Sequence, residues 1–224
     1  MKTARYNELV SELAFAVDKD TATKNTGNIV LTVLGDEDSP YVKALKRKCA
    51  ELGIHTNEPE VSGSLVYSYV ADMDTYIGAF PTSHYYGADI DHIVTPGTSC
   101  VAEACSMVLS SLKRVGENVL IVGRGHSVKG LAQVLIDEDF TVTVCHSRTK
   151  DFSSLFRSAD KIVFTASEWF YNDYDALKKD CVIIDVSGAT KGNNYLVNKS
   201  ITNIGKLTVS ITANRAVQRR NQWL

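Results

Sequence analysis

This sequence of 224 residues lacks the cysteine spacings that are typical of disulfide frameworks and zinc sites. The number of cysteines is odd, and no two of them form a C-x-x-C arrangement. The five are Cys49, Cys100, Cys105, Cys145 and Cys181. A disulfide framework and a zinc site are therefore both poorly supported. We expect no metal site and a protein of a reducing compartment, with a cytoplasmic location.

A large charge of either sign is also missing. Lys and Arg together number 24, Asp and Glu number 26, and the net charge is −2. A balance this close to neutral gives no global electrostatic reason to expect a nucleic-acid partner or an anionic membrane. The longest apolar stretches, such as residues 118–123, are much shorter than the roughly 20 residues that span a bilayer. Glu8, Glu12 and Asp18 interrupt the N-terminal apolar pattern, which argues against a secretory signal or a transit peptide.

The first half of the chain shows one clear strand and two helices. Apolar residues at helical spacing predict a helix over residues 5–17, and a β-branched run predicts a buried strand over residues 28–34. Residues 39–53 predict a second helix, with serine as its cap, proline as its first residue and glycine at its end. Residues 55–91 are rich in glycine, tyrosine and aspartate, and within them only residues 66–70 have the pattern of a strand.

Strands and helices alternate in the second half. Apolar residues at positions i, i+3, i+4 and i+7 predict a helix over residues 101–112. From residue 117 the pattern runs NVLIVG, a glycine-rich loop, LAQVLI, TVTVCHS, KIVFTAS and CVIIDVSG, and residues 207–217 predict a final helix. Strands that alternate with helices of this length predict a parallel sheet with right-handed crossovers. The expected fold class is therefore α/β.

A nucleotide signal lies where the strand Val119–Val122 runs into the loop Gly123–Gly130, before a helix. Glycines let the backbone approach a pyrophosphate, and the N–H groups of the helix N-terminus face its negative charge. The spacing is G-x-G-x-x-x-x-G rather than the G-x-G-x-x-G of Rossmann-like dinucleotide sites. From the loop alone, a dinucleotide site and a turn that simply needs glycine both remain open. The candidate cofactor-binding residues of this loop are Gly123, Arg124, Gly125, His126, Ser127 and Val128.

The end of the second strand favours one cofactor over another. An NAD site usually places Asp or Glu about 20 residues after the first glycine, bonded to the ribose 2′-hydroxyl. Residues 145–150 read CHSRTK, and the first carboxylate is Asp151. A hydroxyl and cations suit the 2′-phosphate of NADP, and Arg124 could clamp the same group; a solvated basic loop is the alternative. The candidate residues here are His146, Ser147, Arg148 and Thr149.

At these residues the sequence resembles the methylenetetrahydrofolate dehydrogenase/cyclohydrolase family. The segment 141–150, TVTVCHSRTK, matches the strand-end signature of the family almost letter for letter. Gly123-Arg124 followed by Val128 is similar to its cofactor loop, G-R-S-x-x-V-G-x-P. Residues 95–97 resemble its T-P-x-G helix start, and residues 41–54 resemble its Y-V-x-x-K-x-K-x-C…G helix.

The resemblance implies a specific architecture and activity. It implies a folate-type domain of residues 1–95 and 206–224, completed by the C-terminal helix, and a Rossmann-like NAD(P)-binding domain of residues 96–205. Members transfer a hydride from methylenetetrahydrofolate to NADP and then hydrolyse the methenyl product. Arg124 and Ser147 fall on the positions that hold the 2′-phosphate. A homodimer through the nucleotide domain is also implied.

The chain departs from the family at several positions. Leu45 stands where the family has its catalytic lysine, and Lys46 is turned about 100° away on the helix. The folate motif D-V-D-G-F is blurred, and Asp74 keeps the acidic role if three residues are inserted after it. Tyr41 and Asp74 are the candidate catalytic residues, although a tyrosine on an apolar helix face is usually a core residue. In the cofactor loop, Lys129 and Leu131 replace the second glycine and the proline.

Two functions follow from these matches and departures. The first is an NADP-dependent methylenetetrahydrofolate dehydrogenase of one-carbon metabolism that has lost its cyclohydrolase activity, and the strand-end signature favours it. The second is a catalytically inactive protein that binds NADP or a partner, and the shortened folate half favours it.

Overall fold

The computed structural model describes residues 2–24, 29–34, 36–56, 65–70, 89–92, 95–114, 116–166, 177–191 and 193–221. The helices are α1 (Lys2–Ala22), α2 (Pro40–Glu51), α3 (Cys100–Ser111), α4 (Leu131–Asp137), α5 (Phe152–Ser158), α6 (Asn194–Val197) and α7 (Ile204–Asn221). The strands are β1 (Ile29–Leu34), β2 (His55–Thr56), β3 (Leu65–Val70), β4 (Asn118–Val122), β5 (Thr141–Cys145), β6 (Lys161–Phe164), β7 (Val182–Asp185) and β8 (Ser200–Ile201).

The larger sheet has five parallel strands in the order β5-β4-β6-β7-β8. Residues 119–122 of β4 and every residue of β6 and β7 are buried. Such continuous burial is expected in a parallel sheet, because helices cover both of its faces. The alternation predicted from the sequence is therefore confirmed. The strand β5 lies at the edge of this sheet, and its residues Thr143 and Val144 are exposed.

The smaller sheet contains β1 between β2 and β3, and both pairings are parallel. The helix α2 follows β1 and begins as its sequence predicts. The Oγ of Ser39 accepts the N–H of Tyr41 at 3.3 Å, and Pro40 is the first helical residue. A side-chain cap of this kind satisfies one of the N–H groups that the first turn leaves without a partner.

The C-terminal helix α7 lies in the core and contacts α1, α2, α3 and β1. Leu207, Ala213 and Ala216 are completely buried, and so is Thr212. The hydroxyl of Thr212 donates to the carbonyl of Thr208 at 2.8 Å, which satisfies it inside the helix itself. A helix that is buried on most sides can therefore carry small polar residues. α7 thus returns to the N-terminal half, as the family resemblance implies.

Two helices are longer than their patterns predict. α1 covers 2–22 rather than 5–17, and α7 covers 204–221 rather than 207–217. Both helices pack against each other, which stabilises turns that local periodicity does not mark. Among the described residues, no helix is both long enough and apolar enough to cross a membrane. The candidate residue Asp74 lies outside the described residues.

Candidate functional site

The glycine loop, residues 123–130, leaves the sheet at the end of β4. The N–H of Gly123 donates to the carbonyl of Cys145 at 2.8 Å, which ties the loop to the neighbouring strand β5. Gly123 has a φ of +114°, and a Cβ there would collide with Oγ1 of Thr165. That hydroxyl donates to the carbonyl of Val122 at 3.0 Å and is therefore fixed. The first glycine is thus required by the turn itself.

The other two glycines of the loop have different roles. At Gly125 a Cβ would meet nothing within 4 Å, so the backbone there stays open to a ligand. Gly130 has a φ of +81°, and a Cβ there would lie 2.7 Å from Cα of Thr98, just before α3. The third glycine therefore allows close packing of the loop against the start of α3, the role that the third glycine has in dinucleotide folds.

A tight turn at the end of β5 faces the same edge of the sheet as the glycine loop. The N–H of His146 donates to Oγ1 of Thr149 at 3.0 Å, and the N–H of Thr149 donates to the carbonyl of His146 at 2.8 Å. The N–H of Arg148 donates to Nδ1 of His146 at 3.2 Å, which assigns the ring proton to Nε2. The imidazole is therefore oriented by its own turn.

The cationic and hydroxyl side chains of this edge are available to a ligand. Val122 and Cys145 are paired across β4 and β5, so the residues that follow them leave the sheet side by side. Arg124, Ser147 and Arg148 are exposed, and within the described parts of the chain their side chains have no hydrogen-bond partner. A cavity of about 530 Å³ lies against the glycine loop and is partly lined by Arg124, His126 and Val144 of that edge and loop. Such an edge can hold an anionic group such as a phosphate.

Two of the predicted loop residues face the protein instead. Nε2 of His126 lies 2.9 Å from Oδ2 of the buried Asp91, and Val128 is buried in the core. The ring of His126 is thus already hydrogen-bonded to a carboxylate. Its role toward a cofactor stays a prediction. Asp91 was not found from the sequence, since it lies in a stretch with no assignable pattern, 35 residues before His126.

A third loop of the same edge follows β7. Asp185, the last residue of β7, is buried. Its carboxylate accepts the N–H groups of Gly188 at 2.8 Å, Ala189 at 2.9 Å and Thr190 at 2.9 Å. The hydroxyl of Thr190 donates to the same carboxylate at 2.6 Å. One buried side chain therefore fixes the backbone of this loop.

The helix α2 places Tyr41 beside the start of α7. A Cβ at Gly205 would lie 3.5 Å from Cδ2 of the Tyr41 ring, so the ring packs against this glycine. Leu45, one turn after Tyr41, is completely buried. Nζ of Lys46 lies 2.6 Å from Oε2 of Glu37. The position one turn after Tyr41 therefore carries no amine, and the equivalence of Leu45 with the family's lysine stays a prediction.

Cysteine and metal chemistry find no support in the described part of the chain. The five cysteines are free and buried. Burial raises the pKa of Cys49, Cys105, Cys145 and Cys181 to about 12, which keeps these thiols protonated. No group of three or more His, Cys, Asp or Glu residues could hold a metal ion among the described residues.

The fold and this edge define a class: an α/β protein with a dinucleotide-binding parallel sheet joined to a smaller α/β unit. Residues 99–217 match the family model described as the tetrahydrofolate dehydrogenase/cyclohydrolase, NAD(P)-binding domain. Since this match covers more than half of the chain, the protein belongs to the tetrahydrofolate dehydrogenase/cyclohydrolase family. The resemblance stated from the sequence is confirmed.

Two curated relatives illustrate the similarity. The bifunctional protein FolD of Thermosipho melanesiensis is 36% identical over an alignment of 115 positions that covers 49% of this chain and 42% of the relative. The bifunctional protein FolD of Dehalococcoides mccartyi is 29% identical over an alignment of 229 positions, gaps included, that covers 79% of this chain and 76% of the relative. The match to the first relative thus spans less than half of its length.

Solved structures confirm the fold. The 5,10-methylenetetrahydrofolate dehydrogenase of the silkworm Bombyx mori superimposes with a TM-score of 0.69 at 18% identity and covers 97% of this chain and 96% of its own. The Trypanosoma brucei methylenetetrahydrofolate dehydrogenase-cyclohydrolase, complexed with NADP cofactor and inhibitor, gives 0.65 at 18% identity, with 97% and 96% covered. At such identities the likeness establishes the α/β architecture.

Proposed function

We propose that this chain is an NADP-dependent 5,10-methylenetetrahydrofolate dehydrogenase of one-carbon metabolism, an oxidoreductase that lacks cyclohydrolase activity. One observation carries the proposal: this chain, a member of the family, has a hydroxyl and cations where an NAD site usually has a carboxylate. Arg124 and Ser147 leave the paired ends of two strands, and residues 146–150 contain no acid. The Trypanosoma brucei relative is complexed with NADP, which supports the same cofactor here.

The glycine loop suits a dinucleotide. The open space at Gly125 admits a pyrophosphate to the backbone, and the short 3₁₀ turn His126–Val128 follows directly. Arg124 would pair with the 2′-phosphate and Ser147 would bond to it. When bound, the nicotinamide supplies the hydride acceptor, and the chain supplies binding and orientation.

The proposed division of labour follows the two sheets. Residues 96–205 form the nucleotide domain, and residues 1–95 with 206–224 form the folate domain. We assign Tyr41 to the folate side, where its ring meets Gly205 at the contact of α2 with α7. Asp74 is assigned as the acidic anchor for the N–H groups of the pterin, on the resemblance alone.

Loss of the cyclohydrolase step is supported by the helix beside Tyr41. Hydrolysis of the methenyl compound in the family depends on a lysine at the position that Leu45 occupies. Leu45 is buried in the core, and the ammonium of Lys46 is paired with Glu37. Hydride transfer mainly needs two ligands held face to face, so it does not require that lysine.

A second candidate is a catalytically inactive NADP-binding or partner-binding protein with the same fold. The same Leu45 favours it, because a chain that has lost one catalytic group can have lost substrate turnover as well. Fold alone does not decide between these functions. Folate binding distinguishes the two functions, because the dehydrogenase binds a folate whereas the inactive protein does not.

The test is a direct assay of the purified chain. Methylenetetrahydrofolate is supplied with NADP or with NAD, and the absorbance of the reduced cofactor is followed. We expect reduction with NADP and much slower reduction with NAD. Melting curves with NADP alone, and with NADP plus a tetrahydrofolate analogue, accompany the assay. Stabilisation by NADP without any further effect of the folate, together with no reduction, would leave only the inactive protein.

Assembly and location complete the proposal: a cytoplasmic homodimer formed through the nucleotide domain. The dimer is proposed on the family resemblance. The free, buried cysteines are typical of a reducing compartment. Sedimentation of the purified chain tests the dimer.

A further inference from the structure

The glycine loop is fastened to a segment that lies outside the nucleotide edge. This segment, here called the connector, comprises residues 89–92 and 95–99 and precedes α3. The N–H of Ser99 donates to the carbonyl of Lys129 at 3.0 Å, and its hydroxyl donates to the carbonyl of Ser127 at 3.0 Å. The loop and the connector therefore meet at two backbone positions even before their longer side chains are considered.

A lysine of the loop forms the first side-chain bridge. Nζ of Lys129 donates to the carbonyl of Thr95 at 2.8 Å and also to the carbonyl of His92. An ammonium that satisfies two carbonyls of another segment is oriented toward that segment. Lys129 stands where the family loop has glycine, so this bridge belongs to the present chain rather than to the family pattern.

A histidine and an aspartate form the second bridge. Asp91 is 2% exposed, and its two oxygens have different partners. Oδ1 accepts the N–H of Cys100, the first residue of α3, at 2.7 Å, and Oδ2 lies 2.9 Å from Nε2 of His126. A buried carboxylate held on both oxygens has little freedom, so the His126 ring and its loop are held as well.

The connector is itself held in place from the core. The guanidinium of Arg215, on α7, donates to the carbonyl of Ile90 at 2.9 Å and to that of Thr98 at 2.7 Å. The same side chain is paired with Glu103 on α3. Arg215 therefore holds the connector in place, and the connector in turn determines the position of the glycine loop that is hydrogen-bonded to it.

We propose that Lys129 and Asp91 are positioning residues, which hold the glycine loop in its nucleotide-binding conformation from the connector without touching the cofactor. The inference rests on the proposed function, since it concerns the affinity for the same dinucleotide. A loop that is competent in only about a tenth of the molecules binds its ligand roughly tenfold more weakly. Fastening the loop in advance removes that loss.

The experiment compares four variants with the unchanged chain. Lys129→Met removes the ammonium and keeps the stem, Lys129→Arg restores a cation, and Asp91→Asn keeps the shape while removing the charge. Lys179→Met is the matched control, because Lys179 is exposed on the turn before β7, at the amino end of the parallel strands, whereas the glycine loop follows the carboxyl end of β4. The affinity for NADP is measured by calorimetry, and amide hydrogen exchange over residues 123–130 is measured in the absence of cofactor.

We expect Lys129→Met and Asp91→Asn each to weaken NADP binding about fivefold or more and to accelerate exchange in the loop. Lys129→Arg should recover most of the affinity, and Lys179→Met should match the unchanged chain. In the dehydrogenase assay, the KM for NADP should rise while kcat at saturating cofactor and the KM for folate stay the same. A purely structural role would lower kcat and folate affinity as well.

The inference is overturned if Lys129→Met and Asp91→Asn both fold and bind NADP as tightly as the unchanged chain. If Lys129→Met does not fold, the nearly isosteric Asp91→Asn decides alone. A chain that binds no dinucleotide at all refutes the proposed function instead. In that case the exchange rates still test positioning: faster exchange in the two variants supports it, and equal exchange rejects it.

Discussion

Nζ of Lys46 lies 2.6 Å from Oε2 of Glu37, at the entrance to the helix that carries Tyr41. The amine closest in sequence to the position of the missing catalytic lysine is therefore engaged elsewhere, and Leu45 fills that position from the core. The position one turn after Tyr41 therefore offers no amine for a proton relay. We therefore expect this chain not to catalyse the hydrolysis of methenyltetrahydrofolate.

Methenyltetrahydrofolate should decay at its spontaneous rate in the presence of this protein. Leu45 offers no amine one turn after Tyr41, so we expect no group on α2 to activate water there. The decay is followed by absorbance with and without protein, and Lys46→Met serves as the control. Saturable acceleration that disappears in Lys46→Met would show that Lys46 has taken over the role and would contradict the prediction.

Arg124→Ala should weaken NADP binding and leave NAD binding nearly unchanged. The guanidinium would contact only the 2′-phosphate, and one charge-assisted hydrogen bond contributes about 1.5–3 kcal/mol, or roughly tenfold to 150-fold in affinity. Calorimetric titration with both cofactors measures the two effects separately. Ser147→Ala should change the affinities in the same direction by less, and Lys179→Ala, which removes a distant cation, should change neither. Equal affinity of the unchanged chain for NADP and NAD would contradict this assignment.

The stability of the fold should fall as the pH drops through about 6.5, the ordinary pKa of histidine. Burial lowers the pKa of His92, and the positive charge of Arg215 lowers it further, although Asp89 opposes them. The folded state then binds fewer protons than the unfolded state, so protonation favours unfolding on the acid side. Urea unfolding at several pH values measures this slope. It should be shallower in His92→Gln; an identical slope in that variant would assign the acid sensitivity to other groups.

Local signals predicted the parts of the fold that depend on neighbouring residues in the sequence. The cap at Ser39 and the strand ending at Val122 were both placed correctly, because a cap and an apolar run are formed by adjacent residues. The bridge from Asp91 to His126 could not be predicted, because it joins residues 35 positions apart and only tertiary packing brings them together.

The glycines of the loop allow a matched test of backbone strain against ligand access. Gly123→Ala places a methyl group against Oγ1 of Thr165 at a φ of +114°, a conformation that costs a residue with a Cβ about 1–3 kcal/mol. Its melting temperature should therefore fall.

In Gly125→Ala the added methyl group meets nothing within 4 Å, so the melting temperature should stay the same. NADP binding to Gly125→Ala should nevertheless weaken, because the methyl group enters the space through which a pyrophosphate approaches the backbone. Thermal melting and calorimetry on the two variants separate the effects. Equal melting of Gly123→Ala and the unchanged chain would show that Thr165 can move aside, and unchanged NADP affinity of Gly125→Ala would place the pyrophosphate away from that glycine.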